Sequence, residues 1–126
     1  MIRYLDTSAI AKVVLDERHT QALRTALSSW SADELVSSQL MATELHRVMT
    51  RLAVPQAAAA ASAFELIELE LEDFVVARDL APATARTLDV LHVAVALRIG
   101  ADVIVTYDRR QAEVADAAGL EVLAPE

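Results

Sequence analysis

The chain has 126 residues, a length that fits one domain and allows a hydrophobic core without metal ions or disulfides as cross-links. Apolar residues make up 55% of the sequence and cysteine is absent, which argues against disorder and excludes a disulfide framework or a thiolate metal site. The net charge of −8 argues against a broad basic surface for nucleic acid. This negative charge is consistent with an acidic pocket that binds a cation, or with a charged surface that only keeps the protein in solution.

The first half of the chain is predicted to begin with a strand and to continue mainly as helices. Thr7 or Ser8 could cap the first helix, and Pro55 is placed to begin the last one. The predicted elements are a strand at 2–6, helices at 8–15 and 19–29, a short strand at 35–37, an amphipathic helix at 39–54 and an alanine-rich helix after Pro55.

The second half alternates strands and helices more regularly. Residues 67–71 have the apolar alternation of a half-buried strand, while 71–80 have a helical pattern, so this boundary is ambiguous. Thr87 could cap a helix over 88–99 that is apolar almost all round and should therefore be buried, with Gly100 ending it. A strand at 103–106, a helix at 109–118 ended by Gly119 and a strand at 121–123 complete the prediction.

This alternation predicts an α/β domain over residues 1–126, a three-layer α/β/α arrangement with a central, mainly parallel sheet. No run of about 18 apolar residues and no basic-then-apolar leader is present, so we expect a cytoplasmic protein without a membrane span.

Four acidic residues occupy positions where such a fold places ligands. Asp6 ends the first strand and Asp108 follows the strand at 103–106, so both should lie at the carboxyl edge of the sheet. Asp89 falls in the first turn of the buried helix, and Glu44 lies on the margin of the buried face of its helix. If the four carboxylates converge, their repulsion raises their pKa values or requires a cation.

All-oxygen ligation favours Mg²⁺, with Mn²⁺ as a possible substitute, and such an ion suits phosphodiester chemistry. Thr7, Ser8 and Thr106 could assist by hydrogen bonding to a carboxylate, a water or a phosphate. Each acid also has an ordinary interpretation as a helix cap, a turn residue or a solvated side chain. His92 could be a general base, or a hydrogen-bonded core histidine.

The order of these acids resembles the PIN-domain ribonucleases, and at this chain length the VapC-type toxins of type II toxin–antitoxin (VapBC) pairs. The resemblance spans nearly the whole chain, and its matching segments are YLDTSAIAK, ATELHRVMTR, RTLDVLHVAVAL and ADVIVTYDRR.

The resemblance implies a metal-dependent endoribonuclease. Asp6, Glu44, Asp89 and Asp108 fall on the acidic positions of the family, with Asp6 and Asp89 as the main metal ligands. It also implies a homodimer, a VapB-type antitoxin partner, and structured RNA, such as tRNA or ribosomal RNA, as substrate.

The acidic net charge opposes RNA affinity, so local basic groups would have to compensate. Candidate RNA contacts are Arg47 and Arg51, one helical turn apart, and Arg109 and Arg110 after Asp108. These arginines could instead pair with surface acids.

Two other classes of protein share some of these features. A receiver-like phosphoacceptor domain needs two adjacent acids after the first strand and a late lysine, but Asp6 stands alone and Lys12 is the only lysine. A catalytically inactive PIN-fold module that only binds protein partners is the other alternative.

Overall fold

The computed structural model describes residues 1–54 and 57–126, in which strands and helices alternate along the chain. The five strands are β1 (Ile2–Leu5), β2 (Glu34–Ser38), β3 (Glu65–Ile67), β4 (Val103–Val105) and β5 (Glu121–Leu123). The seven helices are α1 (Thr7–Val14), α2 (Thr20–Ser29), α3 (Gln39–Arg51), α4 (Ala57–Ser62), α5 (Leu71–Ala77), α6 (Thr87–Arg98) and α7 (Arg109–Ala117). Pro55, predicted to begin a helix, lies outside the described residues.

The strands form one sheet in the order β3-β2-β1-β4-β5, and every neighbouring pair is parallel. The predicted sheet was mainly parallel, and the observed sheet is parallel throughout. In its centre, Tyr4 of β1 is in register with Val36 of β2 and Ile104 of β4.

Successive strand residues point to opposite faces, so the sheet separates two hydrophobic clusters. Tyr4 and Ile104 belong to the cluster that includes residues of α6 and α7. Leu5, Val103 and Val105 belong to the cluster that includes residues of α1, α2 and α3. The predicted three-layer α/β/α fold is confirmed.

Several element boundaries differ from the prediction for local reasons. Helix α1 is capped by Asp6, whose side chain accepts the Ala9 N–H, rather than by Thr7 or Ser8. The prediction that Thr87 caps the buried helix α6 is wrong, because Thr87 is the first residue of that helix and Arg86 occupies the N-cap position.

The strand predicted at 67–71 lies earlier in the chain, because β3 covers Glu65–Ile67, whereas the predicted helix begins at Leu71 as α5 and ends at Ala77. Gly100 and Gly119 have φ values of 69° and 81°. This left-handed conformation after a helix costs glycine no steric strain, so both glycines end their helices as predicted. In the described ranges, no helix is long and apolar enough to cross a bilayer.

The strand order reverses direction between β1 and β4, which creates a crevice at their carboxyl ends. Asp6 leaves β1 at this point, and its backbone N–H donates to the Val105 carbonyl at 3.2 Å. The topology therefore places Asp6 and the segment after β4 side by side.

Candidate functional site

Asp6 is buried at the start of α1, with 3% of its surface exposed. Its Oδ1 accepts from Ser8 Oγ at 2.7 Å and from the Ala9 N–H at 3.0 Å, and its Oδ2 accepts from Thr106 Oγ1. Burial raises the pKa of Asp6, although His92 and the hydrogen bonds from Thr106 and Ser8 act against that rise. These donors hold the carboxylate in one orientation at the crevice.

Glu44 of α3 lies beside the start of α1, since both helices pack on the same face of the sheet. Its Oε1 contacts His92 Nε2 at 2.6 Å and accepts from Thr7 Oγ1 at 2.8 Å. Burial alone would raise the pKa of Glu44, but the bonds to His92 and Thr7 outweigh it and lower the pKa. An ionised carboxylate only accepts hydrogen bonds, so Nε2 of His92 is the donor.

His92 is the buried, hydrogen-bonded histidine that the sequence allowed as one of two alternatives, with 2% of its surface exposed. Its Nδ1 lies 2.7 Å from the Tyr4 hydroxyl, which is also 2.8 Å from Ser38 Oγ. Burial raises the pKa of Tyr4 strongly, so the phenol stays protonated. His92 therefore joins β1, β2 and α3 through one chain of hydrogen bonds.

Asp89 differs from the other acids because one of its oxygens has no partner. The residue is 7% exposed, and its Oδ2 is the one buried side-chain polar atom in residues 1–54 and 57–126 without a hydrogen bond. Burial raises the pKa of Asp89, and the neighbouring charge of Asp108 raises it further. An unpaired, buried carboxylate oxygen beside a second carboxylate marks a place where a cation would be stabilising.

Asp108 is exposed and caps α7, where its Oδ1 accepts from the N–H groups of Arg110 at 2.9 Å and Gln111 at 3.4 Å. Its own N–H donates to Thr106 Oγ1 at 3.1 Å. Each of the three predicted helper residues therefore contacts a predicted site carboxylate: Thr7 bonds Glu44, and Ser8 and Thr106 bond Asp6. Gln111 Nε2 donates to the Asp89 carbonyl at 3.0 Å and so connects α7 to α6.

The four acids lie around this crevice, but within the described parts of the chain no three acidic or histidine side chains are arranged as a ready-made metal cluster. Asp6, Glu44 and Asp108 are each occupied by protein donors, whereas Asp89 keeps a free oxygen. Mg²⁺ commonly binds through one or two carboxylates and keeps several waters. The all-oxygen donor set and the orphaned Asp89 oxygen therefore fit such an ion.

The predicted RNA-contact arginines are exposed. Arg47 and Arg51 line a shallow groove on α3, and Arg47 also lines a neighbouring cleft with Glu44. Arg109 and Arg110 begin α7. Among the residues that the structure describes, none of these four guanidinium groups forms an ion pair, so they are not used to neutralise surface acids.

Sequence reasoning did not single out Tyr4 and Ser38, because nothing in a strand pattern shows that a buried tyrosine will meet a histidine 88 positions away. It also passed over Arg86. The position of Arg86 could have drawn attention to it, because a positive side chain at a helix N-terminus is unfavourable against the helix dipole.

These features define an α/β protein whose polar, acidic crevice lies at the topological switch point of a parallel sheet. A family model for the PIN domain matches residues 3–117, and the chain belongs to this family.

Curated relatives agree with this assignment. The chain is 34% identical to ribonuclease VapC46 of Mycobacterium tuberculosis strain H37Rv, over 97% of this chain and 96% of that protein. It is also 34% identical to ribonuclease VapC47 of M. tuberculosis strain CDC 1551, over 85% of each. The resemblance to VapC-type PIN ribonucleases is confirmed.

Solved structures share the fold at low sequence identity. The M. tuberculosis toxin VapC20, described as cleaving the sarcin-ricin loop, superimposes with a TM-score of 0.76 at 18% identity, covering 98% of this chain and 99% of that one. The DNA-bound VapBC2 complex of Rickettsia felis gives a TM-score of 0.77 at 14% identity, with both chains fully covered.

Proposed function

We propose that this chain is a VapC-type toxin that hydrolyses phosphodiester bonds of structured RNA, tRNA or ribosomal RNA, using a divalent cation held at the acidic crevice. The cation would be Mg²⁺, with Mn²⁺ as a substitute. The observation that carries the proposal is the free, buried Oδ2 of Asp89 beside the charge of Asp108. The ribonuclease relatives support the reaction class.

The contacts of each acidic side chain indicate its role in binding the cation. Asp89 would bind the cation directly, and Asp6, Glu44 and Asp108 would complete its surroundings directly or through water. Bound there, the ion would lower the pKa of an attacking water and offset charge on the leaving oxygen. The family resemblance implies products with a 5′-phosphate and a 3′-hydroxyl. The protein's own hydrogen bonds orient Asp6 and Glu44.

Two sets of donors perform that orientation. Ser8 and Thr106 fix both oxygens of Asp6, and His92 with Thr7 fixes Glu44.

The proposed partners follow from the relatives and neighbours. Several similar structures are VapBC complexes, which supports a VapB-type antitoxin as a protein partner. We also propose that the chain forms a homodimer. Gel filtration with light scattering tests it, and a monomeric mass at micromolar concentration would contradict it.

RNA cleavage with Mg²⁺ against chelator tests the activity. Purified chain is incubated with total tRNA and ribosomal RNA in MgCl₂ or EDTA. Asp6→Asn and Asp89→Asn are compared with Asp116→Asn, a control that removes an exposed acid on α7 outside the crevice. We expect discrete Mg²⁺-dependent fragments from the wild type and Asp116→Asn, and at least a 100-fold loss in the other two.

Two results would contradict the proposal. Cleavage that persists in EDTA, or near-wild-type activity in Asp89→Asn, would remove the role given to the acidic crevice. A folded chain that binds an antitoxin but cleaves none of these RNAs would instead favour the non-catalytic binding module.

A further inference from the structure

A cleft of about 360 Å³ lies between the N-terminal ends of α6 and α7. Arg86, the N-cap residue of α6, and Arg110, in the first turn of α7, both line it, and both are exposed. Two guanidinium groups from different elements therefore border one concave surface. The remaining lining residues are Pro82, Thr84, Ala85 and Glu113.

Within residues 1–54 and 57–126, neither arginine has a paired acid, although the positive charge of Arg86 works against the raised pKa of Asp89. Elsewhere, Arg3 and Arg98 bind the carboxylates of Asp33 and Asp73 at 2.8 Å. In the described part of the chain, the guanidinium groups of Arg86 and Arg110 form neither an ion pair nor a hydrogen bond. In a chain of net charge −8, they leave the cleft locally positive, since Glu113 is its single acidic lining residue.

Their positions are unfavourable for helix stability. A cation at the start of a helix meets the positive end of the helix dipole, which is unfavourable. The same dipoles attract an anion placed at the cleft. A bound anion would therefore remove a cost that the free protein carries.

The cleft adjoins the acidic crevice. Asp89 follows Arg86 by three residues on α6, and Asp108 accepts the backbone N–H of Arg110 at 2.9 Å. The starts of α6 and α7 thus present two carboxylates towards the crevice, and two arginines border the adjoining cleft.

We infer that Arg86 and Arg110 form a binding subsite for an RNA phosphodiester adjacent to the one that is cleaved. The inference rests on the proposed nuclease function and adds to it a determinant of substrate position. Planar guanidinium groups bind phosphate oxygens in bidentate fashion, which fixes the register of the strand as well as its affinity. The subsite supplies local attraction for RNA that the net charge of the chain opposes.

The test measures RNA binding without cleavage. The full chain is titrated in EDTA against a fluorescein-labelled RNA hairpin with a single-stranded loop, and anisotropy is followed over a series of NaCl concentrations. The variants are Arg86→Gln, Arg110→Gln and Arg86→Lys. The control is Arg24→Gln, which removes the same charge from exposed α2, where the guanidinium only bonds the Val13 carbonyl.

We expect each glutamine variant to weaken binding about 5- to 10-fold near 0.1 M NaCl and to reduce the slope of log K against log [NaCl] by about 0.7 for the lost phosphate contact. Arg86→Lys should keep the slope, because it keeps the charge, and Arg24→Gln should match the wild type. Thermal midpoints within about 2 °C of wild type show that folding is intact.

Unchanged affinity and slope in Arg86→Gln and Arg110→Gln would overturn the inference, as would an equal loss in Arg24→Gln or failure of the wild type to bind the RNA. The inference would also be contradicted if inorganic phosphate displaced the RNA equally well from the wild type and from Arg86→Gln. Since EDTA prevents metal-dependent cleavage, a failure of the proposed nuclease function appears in the cleavage assay and not in this comparison.

Discussion

His92 and Glu44 lie 48 positions apart in the sequence, and their side chains are joined by a 2.6 Å hydrogen bond between Nε2 and Oε1. The other imidazole nitrogen contacts the Tyr4 hydroxyl at 2.7 Å. This histidine of α6 therefore fixes a carboxylate on α3 and a phenol on β1. A core residue and a candidate site residue are parts of the same network.

Tyr4→Phe should destabilise the protein by about 1–2 kcal/mol, because it leaves buried polar atoms of Ser38 and His92 without their shared partner. Urea unfolding followed by circular dichroism measures this. Tyr107→Phe is the control, since that half-buried hydroxyl donates only to the Pro125 carbonyl, and it should cost less than half as much. Equal costs for the two variants would show that the Tyr4–His92 bond contributes nothing particular.

Asp89→Asn should stabilise the chain near neutral pH, by about 0.5–2 kcal/mol, although it abolishes the proposed activity. Burial and Asp108 raise the pKa of Asp89 in the folded state above its unfolded value. Between these two values the native state binds more protons, so the contribution of Asp89 to stability falls as the pH rises through the window.

The difference between Asp89→Asn and wild type should accordingly be largest near pH 7 and shrink towards about pH 4. Thermal unfolding over this pH range, with EDTA present throughout, measures it. A variant that is less stable than wild type at neutral pH would show that the unpaired oxygen carries no electrostatic penalty.

Divalent cations should raise the thermal midpoint of the wild-type chain. A ligand that binds only the native state stabilises it by about 2.7 kcal/mol at 100 times its dissociation constant. We expect Mg²⁺ or Mn²⁺ titration to shift the midpoint of wild type and Asp116→Asn, to shift Asp89→Asn much less, and to be reversed by EDTA. Equal shifts in all three chains would place cation binding outside the acidic crevice.

Asp73→Ala should destabilise the fold by about 3 kcal/mol and leave RNA cleavage per folded molecule unchanged. Asp73 is buried, receives two bonds from Arg98 at 2.8 and 3.2 Å, and accepts the Glu70 N–H at 2.8 Å. Its loss leaves the partly buried guanidinium of Arg98 without its main partner and removes a helix cap.

The control for that prediction is Glu72→Ala. Glu72 is mostly exposed and lies 3.9 Å from Arg98, so its removal should cost less than about 0.5 kcal/mol. Similar values for Asp73→Ala and Glu72→Ala would mean that the pairing between α5 and α6 depends on overall charge and not on the buried contact.

Sequence patterns predicted the parts of this fold that depend on local chemistry. Apolar residues all round 88–99 predicted a buried helix, and α6 is buried over Asp89–Ala96. Gly100 and Gly119 predicted helix ends because only glycine adopts their positive φ without strain. Thr87 was misplaced by one position because several polar residues precede α6 and the pattern does not distinguish the N-cap among them.

By itself, the sequence determined the alternation of strands and helices, the parallel sheet and the side of the sheet where Asp6 and Asp108 lie, since these follow from residue periodicity and chain direction. Only the tertiary structure decided which side chains meet: Asp6 with Thr106, Glu44 with His92, and the free oxygen of Asp89 with the charge of Asp108. The physical reason is that hydrogen bonds, desolvation and charge act over a few ångströms in space. The separation of residues along the chain does not encode those distances.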